Sequence, residues 1–149
     1  MTYSRTATCR FTVASWAEEV VVDVDGEGQG TRGAGDLYYP NRGFTRADVG
    51  YAYTGALEAT STLTYLIAYR PEGGPVVGLE QVTGTLDGHD GSFVLRHTGS
   101  QDAGSVTAHL EVVPGLGTGG LERLRGEAEL EIAGHSDDGY ELVLRYDLG

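Results

Sequence analysis

From Thr6 to Leu148 the chain alternates apolar and polar side chains with a period of two, in short runs broken by glycine and aspartate. In GSFVLRHTG, residues 91–99, Phe93, Leu95 and His97 fall on one side and Arg96 and Thr98 on the other. A two-residue period is the mark of a strand with one face buried. The runs are Thr6–Ser15, Val20–Val24, Ala47–Leu57, Ser61–Arg70, Val76–Leu86, Gly91–Gly99, Ser105–Val113, Gly126–Gly134 and Tyr140–Leu148. Between the later ones lie RPEGGP, DGHDG, GSQDAG, PGLGTGG and HSDDG, turn signals spaced for antiparallel hairpins. Helix signals are few. LERLR at Leu121–Arg125 is stopped by Gly126, beyond which Glu127, Glu129 and Glu131 alternate with Ala128, Leu130 and Ile132. Ser15-Trp16-Ala17-Glu18 has the spacing of a capping box and predicts a single helical turn.

Successive strands with no long helix to cover them must hide their edges, and closing the sheet on itself removes edges altogether. The expected fold is all-β: one domain over residues 1–149, a closed antiparallel β-barrel of eight to ten strands. A two-sheet sandwich is the competing architecture. The absence of an internal repeat argues against a propeller or solenoid. A barrel of about eight strands is wide enough to enclose one small ligand.

Charge narrows the partners. Ten basic against 22 acidic side chains give a formal net charge of −12, which repels phosphate backbones and anionic lipid. No nucleic-acid or membrane partner is expected. The opening MTYSRTATCR lacks the apolar core of a signal peptide, so a cytoplasmic location is expected. Cys9 is the single cysteine. That excludes an internal disulfide and a zinc–thiolate cluster, and the four histidines show no ligand spacing. No metal is expected. GQGTRG at residues 28–33, with Asp48 twenty residues beyond Gly28, matches a dinucleotide fingerprint on paper. The fingerprint works only where the glycines lead into a helix, and AGDLYYPNRG offers none. A Gly/Tyr-rich surface loop at residues 25–44, acting as a lid, fits better.

Parity along the strands selects interior residues. Val76, Glu80, Val82 and Leu86 share one face, as do Leu63, Tyr65, Ile67 and Tyr69. A four-residue DGHD connection would pair Leu86 with Gly91 and so Glu80 with His97. Pairing Tyr69 with Val76 across RPEGGP would set Tyr65 opposite Glu80, while a shift of two would place Ile67 there. Tyr65, Glu80 and His97 thus form a polar row on an apolar wall. A buried carboxylate–imidazole pair is equally well read as a satisfied structural contact or as a site. Trp16 reads as a plug or rim residue, and His89, His109 and His135 as solvated. Asp87 and Asp90 read as turn formers. Ser92 and Ser105 have no histidine in triad geometry, and no GxSxG elbow occurs.

The stretches FTVASWAEE, YLIAYRPEGG, VVGLEQVTGTLDG, GSFVLRHTGS, VVPGLGTGGLERLRGEAEL and GYELVLRYDLG together resemble a bacterial family of uncharacterised small barrels related to allene oxide cyclase. Residues 26–53 depart from that pattern, being longer and richer in tyrosine. The resemblance implies an allene-oxide-cyclase-like barrel and, from polyketide spiroacetal cyclases in the wider group, ring closure without a cofactor. It also allows a homodimer. On this reading the substrate is a largely apolar, polyketide-like small molecule, and spiroacetal formation is the concrete reaction. Glu80 is the expected base, His97 the expected acid, and Tyr65 the residue that orients them. Tyr38, Tyr39, Tyr51, Tyr53, Tyr69, Phe93 and Leu95 are expected to surround the substrate. A passive carrier and a cycloaddition catalyst working by lumen shape are the alternatives.

Overall fold

The computed structural model describes residues 3–26, 30–32, 38–102, 105–134 and 136–149. Eleven strands run in chain order: β1 (Arg5–Asp23), β2 (Gly30–Arg32), β3 (Tyr38–Pro40), β4 (Gly43–Gly55), β5 (Leu57–Tyr69), β6 (Gly74–Leu86), β7 (His89–Asp102), β8 (Ser105–Val112), β9 (Thr118–Gly119), β10 (Arg125–Ala133) and β11 (Tyr140–Asp147). Eight of them close a ring of antiparallel neighbours, β1–β4–β5–β6–β7–β8–β10–β11 and back to β1. The short β9 adds to β7 through Gly91↔Gly119 and Ser92↔Thr118, and β2 pairs with β3 as a separate hairpin. No helix occurs among the described residues, so none is long and apolar enough to cross a membrane. The chain is a closed eight-stranded β-barrel with one extra strand, and the sandwich is excluded.

The alternating faces fill the interior as their parity requires. Phe11, Tyr51, Tyr65, Phe93, Leu95 and Tyr146 are almost wholly buried. The LERLR segment is a series of hydrogen-bonded turns, Leu121 N–H to Thr118 and Leu124 N–H to Leu121. It drives Leu121 and Leu124 into the core.

Several expectations are corrected. β1 is one strand of 19 residues, where two strands and a helical turn were expected. Trp16 pairs with Val49 and Glu18 with Ala47 along the β4 ladder, which is irregular only between Val13 and Ser15 and between Val20 and Val22. The ladder claims the backbone groups that a capping box would have used. The β6–β7 connection is a two-residue turn, Asp87-Gly88, with φ of 47° and 85°. This is the tight hairpin that an Asp-Gly pair favours. The pairing is therefore Glu80↔Leu95 and Gly78↔His97, two residues from the register expected of a four-residue loop. Asp90 lies in β7 beyond that turn and accepts a hydrogen bond from Thr85. Across RPEGGP, Ile67 pairs with Val76, so Tyr65 faces Gly78 and Leu63 faces Glu80. A shift of two leaves every residue on its expected face. Within the glycine-rich segment, Gly30–Arg32 forms a strand onto which Tyr38–Pro40 folds back, and Gly43 opens β4. Residues 27–29 and 33–37 lie outside the described residues.

The wall is not equally knit all round. β11 pairs with β1 only as far as Phe11↔Tyr140, and with β10 only over Arg125–Ala128. Beyond those points β1 continues for twelve residues, to Asp23, with β4 as its ladder partner. This seam marks one end of the barrel, the end towards which Trp16 and Glu18 are carried.

Candidate functional site

Gly78 sits between Tyr65 and His97 in the β5–β6–β7 ladder. Because it has no side chain, the two flanking groups meet across it: Tyr65 Oη lies 3.0 Å from His97 Nδ1. On the other side of the imidazole, Nε2 lies 2.7 Å from Glu80 Oε1. Leu95, not His97, is directly opposite Glu80, so the pair meets diagonally, within the reach of long side chains. Tyr53 reaches in from β4 and donates to Glu80 Oε2 at 2.5 Å. Tyr51 Oη lies 3.5 Å from Tyr65 Oη. Glu80 and His97 are fully buried, and the three phenols nearly so.

The chain of hydrogen bonds has a consistent direction. An ionised Glu80 can only accept, so Nε2 of His97 carries a proton and donates to it. With a neutral ring, Nδ1 accepts from Tyr65; this tautomer is assigned from the network. Burial holds the Tyr53 phenol well above its ordinary value, and the charge on Glu80 adds to the effect. Burial likewise raises Tyr65 and Tyr51. The Cys9 thiol is pushed up to about 11, by burial first and then by the charges of Glu80 and Glu141. It is a protonated core residue that donates weakly to the Leu142 carbonyl.

A second carboxylate, overlooked by strand parity, lies at the seam end. Glu18 accepts from Thr45 Oγ1 at 2.5 Å and Tyr69 Oη at 2.7 Å on one oxygen, and from the Trp16 indole N–H at 3.0 Å on the other. The Trp16 and Tyr65 rings are 6.5 Å apart, which links this cluster to the Glu80 chain. The signal for Glu18 is its two-residue offset from Trp16, which the capping-box spacing of Ser15 and Glu18 masks as the start of a helix.

The residues expected around the substrate divide. Tyr51 and Tyr53 belong to the Glu80 network. Tyr69 belongs to the Glu18 cluster, with the half-buried Tyr39 tilted against it at 5.4 Å. Leu95 and Phe93 are buried beside Glu80 and Val82. Tyr38 is in β3, and its side chain lies outside the described residues, as does His135. Trp16 is 41% exposed, as a rim residue should be. His109 is bound to Glu129 at 2.7 Å on the outer face. Among the described residues no group of three or more His, Cys, Asp or Glu could hold a metal ion.

Comparison with known proteins agrees on one kinship. No curated protein matches the chain. A crystal structure of a protein with unknown function from the DUF3224 family, from Shewanella oneidensis MR-1, is similar at 26% identity with a TM-score of 0.66, over 96% of each chain. The family model described as "Protein of unknown function (DUF3224)" matches residues 7–144. That span reaches from β1 into β11 and includes Glu18 and Glu80, and the chain belongs to the DUF3224 family.

Proposed function

We propose that this barrel is a cofactor-independent cyclase that closes a ring in a largely apolar, polyketide-like small molecule by general acid–base catalysis. The observation that carries the reading is the buried Glu80–His97 contact at 2.7 Å, extended to the Tyr65 phenol. An acid and a base held together away from water are what a ring closure with proton transfers at two oxygens needs.

Spiroacetal formation is the concrete case. One hydroxyl of a keto-diol adds to the carbonyl, and the hemiacetal loses water to give an oxocarbenium ion. The second hydroxyl then traps that ion and releases a proton, so the net change is loss of one water. Glu80 takes the hydroxyl proton and its charge stabilises the cation. Both nitrogens of His97 are engaged, so His97 acts as the acid only when its ring is protonated at both. The Nδ1 proton passes to Tyr65 as the phenol gives its own to the leaving water, and the proton that Glu80 takes from the hydroxyl restores the ring before the next turnover. Tyr65 is thereby a relay as well as an orienting group. Holding the substrate folded near its attack geometry adds further acceleration.

The test uses a synthetic apolar keto-diol incubated with the full chain, its product resolved by chiral chromatography. Glu80→Gln and His97→Phe, each checked for retained fold by circular dichroism, are expected to lower the rate about 10²–10⁴-fold. Tyr65→Phe is expected to be milder. Undiminished turnover in both of the first two variants would leave ring closure directed by the shape of the interior, with no acid–base role for this pair. Saturable binding with no turnover would leave a carrier.

A further inference from the structure

Glu18 is 7% exposed, yet its three hydrogen-bond donors, Trp16, Thr45 and Tyr69, are all neutral. No arginine or histidine among the described residues forms an ion pair with it. A carboxylate taken out of water is normally matched by a cation. The described residues supply none, in a chain that already carries a net charge of −12. The donors are also unevenly shared. Among the described residues Oε2 accepts two and Oε1 only the indole N–H, so toward them Oε1 keeps acceptor capacity in reserve.

The surroundings favour a particular kind of cation. The Tyr39 and Tyr69 rings lie 5.4 Å apart at a 33° tilt, and Trp16, 41% exposed, shares the Glu18 carboxylate with Tyr69. Aromatic faces attract organic ammonium groups, tryptophan most of all. The Tyr39 phenol is raised by burial and then by the negative charge of Glu18, so that charge is felt across the cluster. We propose that Glu18, with Trp16, Tyr39 and Tyr69, binds the ammonium group of a small organic cation at the seam end of the barrel. The substrate class is then an apolar molecule with one cationic end. This rests on the proposed function only in assigning the apolar remainder of that molecule to the Glu80 side.

Trp16 is the single tryptophan of the chain, so intrinsic fluorescence reports on this cluster directly. The full chain is titrated with hexyltrimethylammonium and, separately, with hexan-1-ol. A saturable change with the ammonium ion, at least ten-fold weaker with the alcohol, is the expected result. Glu18→Gln is expected to weaken ammonium binding ten-fold or more and to leave the alcohol unaffected. Tyr39→Leu, at the edge of the cluster, is expected to weaken it several-fold and serves if Glu18→Gln does not fold. Equal response to the alcohol, or unchanged ammonium affinity in the variants, would overturn the proposal. Glu80→Gln separates the two readings. It is expected to keep ammonium binding whatever becomes of turnover, whereas turnover without ammonium binding would sink this inference and spare the cyclase.

Discussion

Gly78 is the residue that lets Tyr65 reach His97. A Cβ built there would come within 2.6 Å of the Thr64 carbonyl oxygen and 2.7 Å of Tyr65 Cδ1, so either the strand or the ring must move. Gly78→Ala is expected to cost about 1–3 kcal/mol, the usual penalty for overpacking, as a lower urea midpoint. The His97 Nδ1 resonance should shift as its phenol partner is displaced; an unchanged resonance would show that the bond does not depend on the gap. At this scale the sequence was partly legible. Parity alone put Glu80, His97 and Tyr65 on one face, because a strand offers only two. It could not rank partners within that face, since that requires register, and the Tyr53–Glu80 bond depends on β4 as well as β6. Glu18 escaped notice because its two-residue offset from Trp16 sits inside a helix-like tetrapeptide, and only the β4 ladder reveals it as extended chain.

Among the elements, β1 and β11 differ most from their neighbours. β5 is paired along both edges, with β4 from Ala59 to Tyr69 and with β6 from Leu57 to Ile67. By contrast, the β10–β11 ladder ends at Ala128↔Leu144. Amide hydrogen exchange should therefore be slowest in β5 and β6 and markedly faster at Glu129–Ala133 and along β1 beyond Phe11. Equal protection on both sides of the molecule would mean that the seam is closed by contacts other than the ladder. The antiparallel order and the eight strands of the ring were readable from hairpin-spaced turn signals, with Thr6–Ser15 and Val20–Val24 joined as β1; the short β2, β3 and β9 were not. Nor was the register, and of the two ladders that slipped, β6–β7 and β5–β6, the first has a plain cause. An Asp-Gly pair closes a two-residue turn because both residues adopt positive φ, 47° and 85° here, and DGHD was counted as four. The seam leaves no trace in composition, since β10 and β11 alternate as regularly as any other strands.

For the whole molecule, buried phenols set the response to alkali. Tyr51, Tyr53, Tyr65 and Tyr69 are all raised above their ordinary value of 10.0, chiefly by burial. Cys9 is raised from 9.0 to about 11. In this window the native state holds more protons than the unfolded chain, so stability falls as pH rises. Their contribution is complete below about pH 9 and erodes upward from there, at up to about 1.4 kcal/mol per pH unit for each group. Urea midpoints taken between pH 8 and 11 should stay flat and then drop, and Tyr53→Phe should soften the drop. A midpoint that climbs through this range would contradict the assignment. The ring itself is completed by strands from opposite ends of the chain, for Arg5 is paired with Tyr146. Until β11 has left the ribosome, the growing sheet is an open ribbon with two raw margins, so the seam that turns it into a ring forms after every other ladder of the barrel.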